Sequence, residues 1–197
     1  MSVENVKEKI LKEALRLFAD RGYGGVAIGE IAEACDMKTP NLYKYYGGKS
    51  DIYEAIKAVA EDSYKRKMRI GEGSMVWIHN GEELKEFSMH QIKFTIQNEM
   101  IRNIRKLCTI EQFRDEFLCS KLSEKQYKDM CDQYEEVFAG LMEKGVIEKG
   151  DPEMLALEYF SPITVILQEC DRYPEKIDDL LEKAEKYIDY FIEKTFV

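Results

Sequence analysis

Residues 38–49, Lys38-Thr-Pro-Asn-Leu-Tyr-Lys-Tyr-Tyr-Gly-Gly-Lys49, decide how this chain is read. Thr39 as a cap and Pro40 at the first helical position announce a short helix over 39–46. A threonine oxygen can satisfy orphan backbone N–H groups, and a proline there gives up only a donor that had no helical partner. The residues that follow, Asn41, Tyr43, Lys44 and Tyr45, suit phosphates and base edges better than a core. Gly47-Gly48 then breaks the helix, and Lys49 opens the next.

Helical spacing extends on both sides. Val6, Ile10, Leu11, Ala14, Leu17 and Phe18 mark a first helix that Gly22 ends. Ile28, Ile31, Ala32 and Cys35 mark a short second helix. Asp36-Met37-Lys38 forms a tight turn, and Asp36 is a residue that tolerates left-handed backbone. Ile52, Ala55, Ile56 and Val59 give a longer fourth helix running toward Arg69. Two short helices joined by about three residues, the second polar, behind a supporting helix, make a helix-turn-helix. Leu42 and Tyr46 belong to its small core.

The rest of the chain is helical as well. Leu84, Phe87, Gln91 and Phe94 suggest one helix, and residues 100–119 hold one or two more. Tyr127 to Met142 mark another, closed by Lys144-Gly145. Asp151-Pro152-Glu153 starts a helix that contains Pro162, where a kink is expected. In the last helix, Ile177, Leu181, Ala184, Ile188, Phe191 and Thr195 are spaced 4, 3, 4, 3 and 4. Such a seam packs within the chain or, with Tyr159, Ile163 and Ile166 of the preceding helix, against a second copy as a four-helix dimer interface. The expected fold is all-α, with about nine helices. A helix-turn-helix domain occupies residues 1–50, the fourth helix (49–70) is a connector, and a larger ligand-binding and dimerisation domain spans 71–197.

Composition limits the function. The 197 residues are 45% hydrophobic and carry a net charge of −9, which looks unsuited to nucleic acid. However, residues 1–50 hold 8 Lys and Arg against 7 Asp and Glu, whereas the other 147 hold 21 against 31. The acidity lies outside the reading segment, and phosphate binding needs local positive charge only. Lys65, Arg66, Lys67 and Arg69 add a basic cluster, read as a solvated helix face. The five cysteines are scattered and read as small buried hydrophobes. With only two histidines, neither a metal site nor a cofactor is expected. No nucleophile–base pair or phosphate-cradling loop points to an enzyme. No apolar run nears the roughly 18 residues of a membrane span, and the charged N-terminus lacks a signal region, so a cytoplasmic protein is expected.

Three stretches together resemble the N-terminal domain of the TetR family of transcriptional regulators. These are Ile10-Leu-x-x-Ala14-x-x-Leu17-Phe18-x-x-x-Gly22-Tyr23; Ile28-x-x-Ile31-Ala32-x-x-Cys35-x-Met37; and Leu42-Tyr43-x-Tyr45-Tyr46-x-x-Lys49-x-x-Ile52. The resemblance implies a homodimeric repressor that binds a palindromic operator and releases it when a small molecule enters the C-terminal domain. It implies DNA contacts at Lys38, Thr39, Pro40, Asn41, Tyr43 and Tyr45, with Lys49 as a mobile charge on a phosphate; Lys44 joins them on its chemistry alone. Two positions depart from the pattern. Val26 and Ala27 stand where the family places a capping hydroxyl, and Asp36 stands where it often has glycine.

For the effector, Trp77, Phe87, Phe94, Phe113, Phe117, Tyr127, Tyr134 and Phe160 are candidate pocket residues. Glu99, Glu158 or Glu169 could face a cationic ligand. The competing class is an all-helical adaptor that uses the 38–49 surface for protein contacts.

Overall fold

The computed structural model describes residues 3–68 and 78–197. Among them are ten α-helices: α1 (Val3–Arg21), α2 (Ile28–Ala34), α3 (Thr39–Leu42), α4 (Lys49–Met68), α5 (Gly81–Gln97), α6 (Glu99–Glu111), α7 (Glu116–Ser123), α8 (Asp129–Glu143), α9 (Pro152–Arg172) and α10 (Ile177–Thr195). A five-residue π-helical segment, Glu124–Lys128, leads into α8. The stretch 100–119 contributes two helices, divided by a turn in which Arg114 and Asp115 donate backbone N–H bonds to the Glu111 carbonyl. No helix among the described residues is long and apolar enough to cross a membrane.

The helices group into two compact units. The first contains Met1–Arg66 and Glu99–Leu122. Residues 99–122, expected in the second domain, therefore pack with the N-terminal helices. The physical reason is apolar burial: Ile104, Leu107 and Cys108 of α6 and Leu118 of α7 join Ile10, Phe18, Ile31, Leu42, Ile52 and Ile56 in one core. Polar links reinforce this. Lys106 pairs with Asp20 at 2.9 Å, and Lys12 with Glu99 at 3.0 Å. Glu99 thus holds a lysine of this chain rather than standing open to a cationic ligand.

The second unit comprises Lys67–Asn98 and Ser123–Val197. Its core includes Tyr159, Ile163 and Ile166 of α9 and Ala184, Ile188 and Phe191 of α10, the central residues of the expected dimer seam. Phe191 lies 4.6 Å from the Tyr159 ring and 5.6 Å from that of Phe138. The seam covers apolar surface of its own chain, and Ile177 and Leu181 pack against the same core. A hydroxyl group of Ser88 lies 2.7 Å from that of Tyr159 and 3.5 Å from that of Tyr134, so the polar atoms in this apolar interior satisfy one another.

Helix α9 continues through Pro162, which has no N–H to offer the carbonyl four residues earlier. That carbonyl belongs to Glu158, and the Tyr187 hydroxyl of α10 donates to it at 2.7 Å. A side chain from the neighbouring helix replaces the lost backbone donor. The Glu158 carboxylate pairs with Lys194 and that of Glu169 with Arg172, both at 2.9 Å, so these candidates for a cationic ligand are also occupied.

Of the cysteines, Cys35, Cys108, Cys131 and Cys170 are buried as expected, and Cys119 is exposed.

Candidate nucleic-acid interface

The short segment α3 is built from the residues around it. Leu42 is its buried anchor. The helix begins at Thr39, one residue earlier than expected, with Lys38 as cap residue and no side-chain cap bond. Thr39 is therefore the first helical residue rather than the cap. The α-helical stretch ends at Leu42, and tighter turns carry the chain on: Tyr45 and Tyr46 both donate backbone N–H bonds to the Leu42 carbonyl.

On this scaffold Lys38, Pro40, Asn41, Tyr43 and Lys44 are exposed, and Thr39 and Tyr45 are half-buried. Tyr43 is 52% exposed. The two tyrosines differ in role, since Tyr45 packs against the unit's core, as does Tyr46. Among the described residues, Lys38 and Lys44 pair with no carboxylate. Several other cations of this unit do: Lys9 with Asp36, Lys12 with Glu99, Arg16 with Glu13, Arg21 with Glu30, Lys57 with Asp115 and Lys106 with Asp20.

Lys49 differs from its expected role as a mobile charge. Its Nζ donates to the Tyr23 and Val26 carbonyls, each at 2.9 Å, and sits 4.2 Å from the Tyr23 ring centre. Two of its three N–H groups thus tie the start of α4 to the α1–α2 connection, leaving one for a phosphate. The same connection is held from α6. Glu111, buried among apolar residues, accepts from the Tyr23 N–H at 2.8 Å. Gly22 permits this approach. Its φ is +72°, and a Cβ there would come 2.6 Å from Glu111 Oε1. Nothing in the sequence marks Glu111 for this role, because its partner lies 88 positions away.

The missing hydroxyl at Val26 and Ala27 is partly compensated. Ala27 is the cap residue of α2, and the Glu30 carboxylate reaches back to accept its N–H at 2.7 Å. That hydrogen bond, together with Arg21 at 2.6 Å, holds the Glu30 carboxyl below its ordinary range. The Ser-type half of a capping box is absent, and the Glu half remains.

The candidate pocket residues fall in both units. Phe113 and Phe117 lie in the first unit, and Phe113 is 90% exposed. Phe94 and Tyr127 are exposed as well. Phe87, Tyr134 and Phe160 share the second core, and Trp77 lies outside the described residues. Aromatic content alone does not separate a pocket wall from a core or a surface. The basic cluster at 65–69 falls outside the residues whose side chains are described.

The family of bacterial regulatory proteins known as tetR matches residues 10–56, from α1 into α4. Residues 10–56 match that family's N-terminal domain. Over 49 residues it is 37% identical to IcaR of Staphylococcus aureus, the biofilm operon icaADBC HTH-type negative transcriptional regulator; that stretch is 25% of this chain and 26% of IcaR. IcaR of Staphylococcus epidermidis is 35% identical over 48 residues, 24% of this chain and 26% of that one. The match spans about a quarter of the length of these curated relatives. Beyond the TetR-family domain, solved structures share the fold. SmeT, the repressor of the Stenotrophomonas maltophilia multidrug efflux pump SmeDEF, superposes with a TM-score of 0.65 at 18% identity, over 97% of this chain and 90% of SmeT. AibR in complex with isovaleryl coenzyme A and operator DNA gives 0.61 at 22% identity, over 91% and 96%.

Proposed function

We propose that this protein is a dimeric transcriptional repressor of the cytoplasm that binds a palindromic operator and releases it on binding a small molecule. The observation that carries the reading is the pair of uncompensated lysines, Lys38 and Lys44, flanking exposed Asn41 and Tyr43 on a helix-turn-helix. A surface built only for solubility gains from pairing its charges, as Lys9, Arg21 and Lys106 of the same unit do. A phosphate-binding surface must leave its cations free.

Likeness to SmeT and AibR supports repression and a small-molecule effector. A small molecule and an operator are named for AibR, and repression for SmeT. In a dimer, two copies of α3 would meet half-sites about 34–36 Å apart or a multiple of that. An effector that shifts the population of the DNA-competent state from 99:1 to 1:99 needs about 5.5 kcal/mol of differential affinity. With the central residues of the seam buried, a second copy would meet outward positions of α9 and α10, where Val165 and Tyr190 are exposed.

The test is duplex DNA binding against salt. The wild-type protein should lose affinity steeply between about 50 and 200 mM salt. The double variant Lys38→Ala, Lys44→Ala should bind more weakly with a salt slope shallower by about 4, since each of the two protomers loses two lysines, while its thermal midpoint stays unchanged. Binding that ignores both salt and these lysines would support a protein-contact surface instead.

A further inference from the structure

The turn between α2 and α3 has a complete helix-ending motif with an unusual residue in it. The Met37 N–H donates to the Ala32 carbonyl at 3.0 Å, and the Asp36 N–H to the Glu33 carbonyl at 2.9 Å. This double closure places Asp36 at φ +59°, in the left-handed region where glycine normally stands. Helix α2 also carries no basic residue in its last turn to balance its partial negative charge. Both deficits meet at one side chain. Lys9 Nζ, from the middle of α1, donates to Asp36 Oδ2 and to the Cys35 carbonyl, each at 3.0 Å. The contact is reciprocal, because the Cys35 thiol lies 3.9 Å from the Lys9 carbonyl.

We propose that Lys9 is a positioning residue for DNA reading, a clasp that fixes the α2–α3 turn and neutralises Asp36 where a phosphate would approach. The inference rests on the DNA-binding reading above. Asp36 stands two residues before Lys38. Its side chain is 89% exposed, so its charge lies well within a Debye length of that surface. An exposed ion pair adds little to stability. Its value here is local. It caps α2, cancels a charge of the wrong sign, and holds the backbone from which α3 departs. Among the described residues, Glu33 and Asp51 have no such cation from α1, whereas Glu30 pairs with Arg21 at the end of α1; Asp51 instead accepts from the Gly47 N–H at 3.0 Å.

The experiment is a double-mutant cycle of Lys9→Met and Asp36→Gly in the full chain. It is read by affinity for a fluorescent mixed-sequence duplex at low salt, with thermal unfolding in parallel. Lys9→Met should weaken binding about fivefold, the size expected for a lost charge at a helix end, with the midpoint nearly unchanged. Lys9→Arg should restore binding. In the Asp36→Gly background, Lys9→Met should cost much less, because glycine removes both the carboxylate and the strain. Equal losses in both backgrounds would overturn the clasp, and so would a Lys9→Met variant that binds like wild type while Lys38→Ala, Lys44→Ala binds poorly; in that case the DNA-binding reading survives. A wild-type protein that binds no duplex would overturn that reading and the clasp with it.

Discussion

Two stretches of this chain carry strong patterns, and the fold uses them in opposite ways. Residues 38–49 remain at the surface, with only Leu42 fully buried. The seam of α10 is drawn into the core of its own unit, where Ala184, Ile188 and Phe191 are nearly inaccessible. A polar pattern resists burial because its groups would lose water without gaining partners. An apolar seam specifies only that something must cover it. Here α5, α8 and α9 do so, before any second copy could.

The comparison is broken most severely at Phe191. Its replacement by alanine should destabilise the second unit by about 3–5 kcal/mol in urea unfolding followed by circular dichroism. If Phe191→Ala instead left the monomer intact and only shifted sedimentation toward smaller species, the seam would be an interface between copies. Asn41 sharpens the other side. Asn41→Ala should leave stability within about 0.5 kcal/mol, yet alter the preferred sequence in a randomised-duplex selection, with discrimination changed by about 1–3 kcal/mol at the contacted base. An unchanged preference would remove Asn41 from the reading surface. The smallest effect probes how α9 and α10 are joined. Tyr187→Phe should cost about 1 kcal/mol, because it strands the Glu158 carbonyl that Pro162 leaves open. In a Pro162→Ala background that cost should shrink, since alanine supplies the missing N–H. An undiminished cost would mean that Tyr187 acts through packing alone.

Much of the fold was legible before the structure. Helix periodicity, Gly22 and Gly145 as helix ends and Asp151-Pro152 as a start all appear where expected, with Gly22 and Gly145 at positive φ. Asp36 adopts the left-handed backbone read for it. The start of α3 shifted by one residue because Lys38, not Thr39, takes the extended cap conformation. The exposed candidates at the reading surface were legible from chemistry, since the polar, aromatic and basic residues of 38–45 have no buried partner nearby in sequence. The structural half of Lys49 was not legible, because carbonyls 23 and 26 positions upstream hold its ammonium. The pocket candidates include core and surface positions because an aromatic residue fits a core, a pocket or a surface equally well.

What the sequence determined by itself is local: which segments are helical, where they end, and that residues 38–49 stay polar and exposed. Those properties follow from backbone geometry and side-chain solvation within a few residues. Tertiary structure decided the remainder. It assigned 99–122 to the first unit, turned the α10 seam inward, placed Glu111 and Lys49 on the two sides of Tyr23, and brought Lys9 across 27 positions to Asp36. Each of these outcomes depends on which surfaces meet once the helices pack, and spacing along the chain carries no record of that.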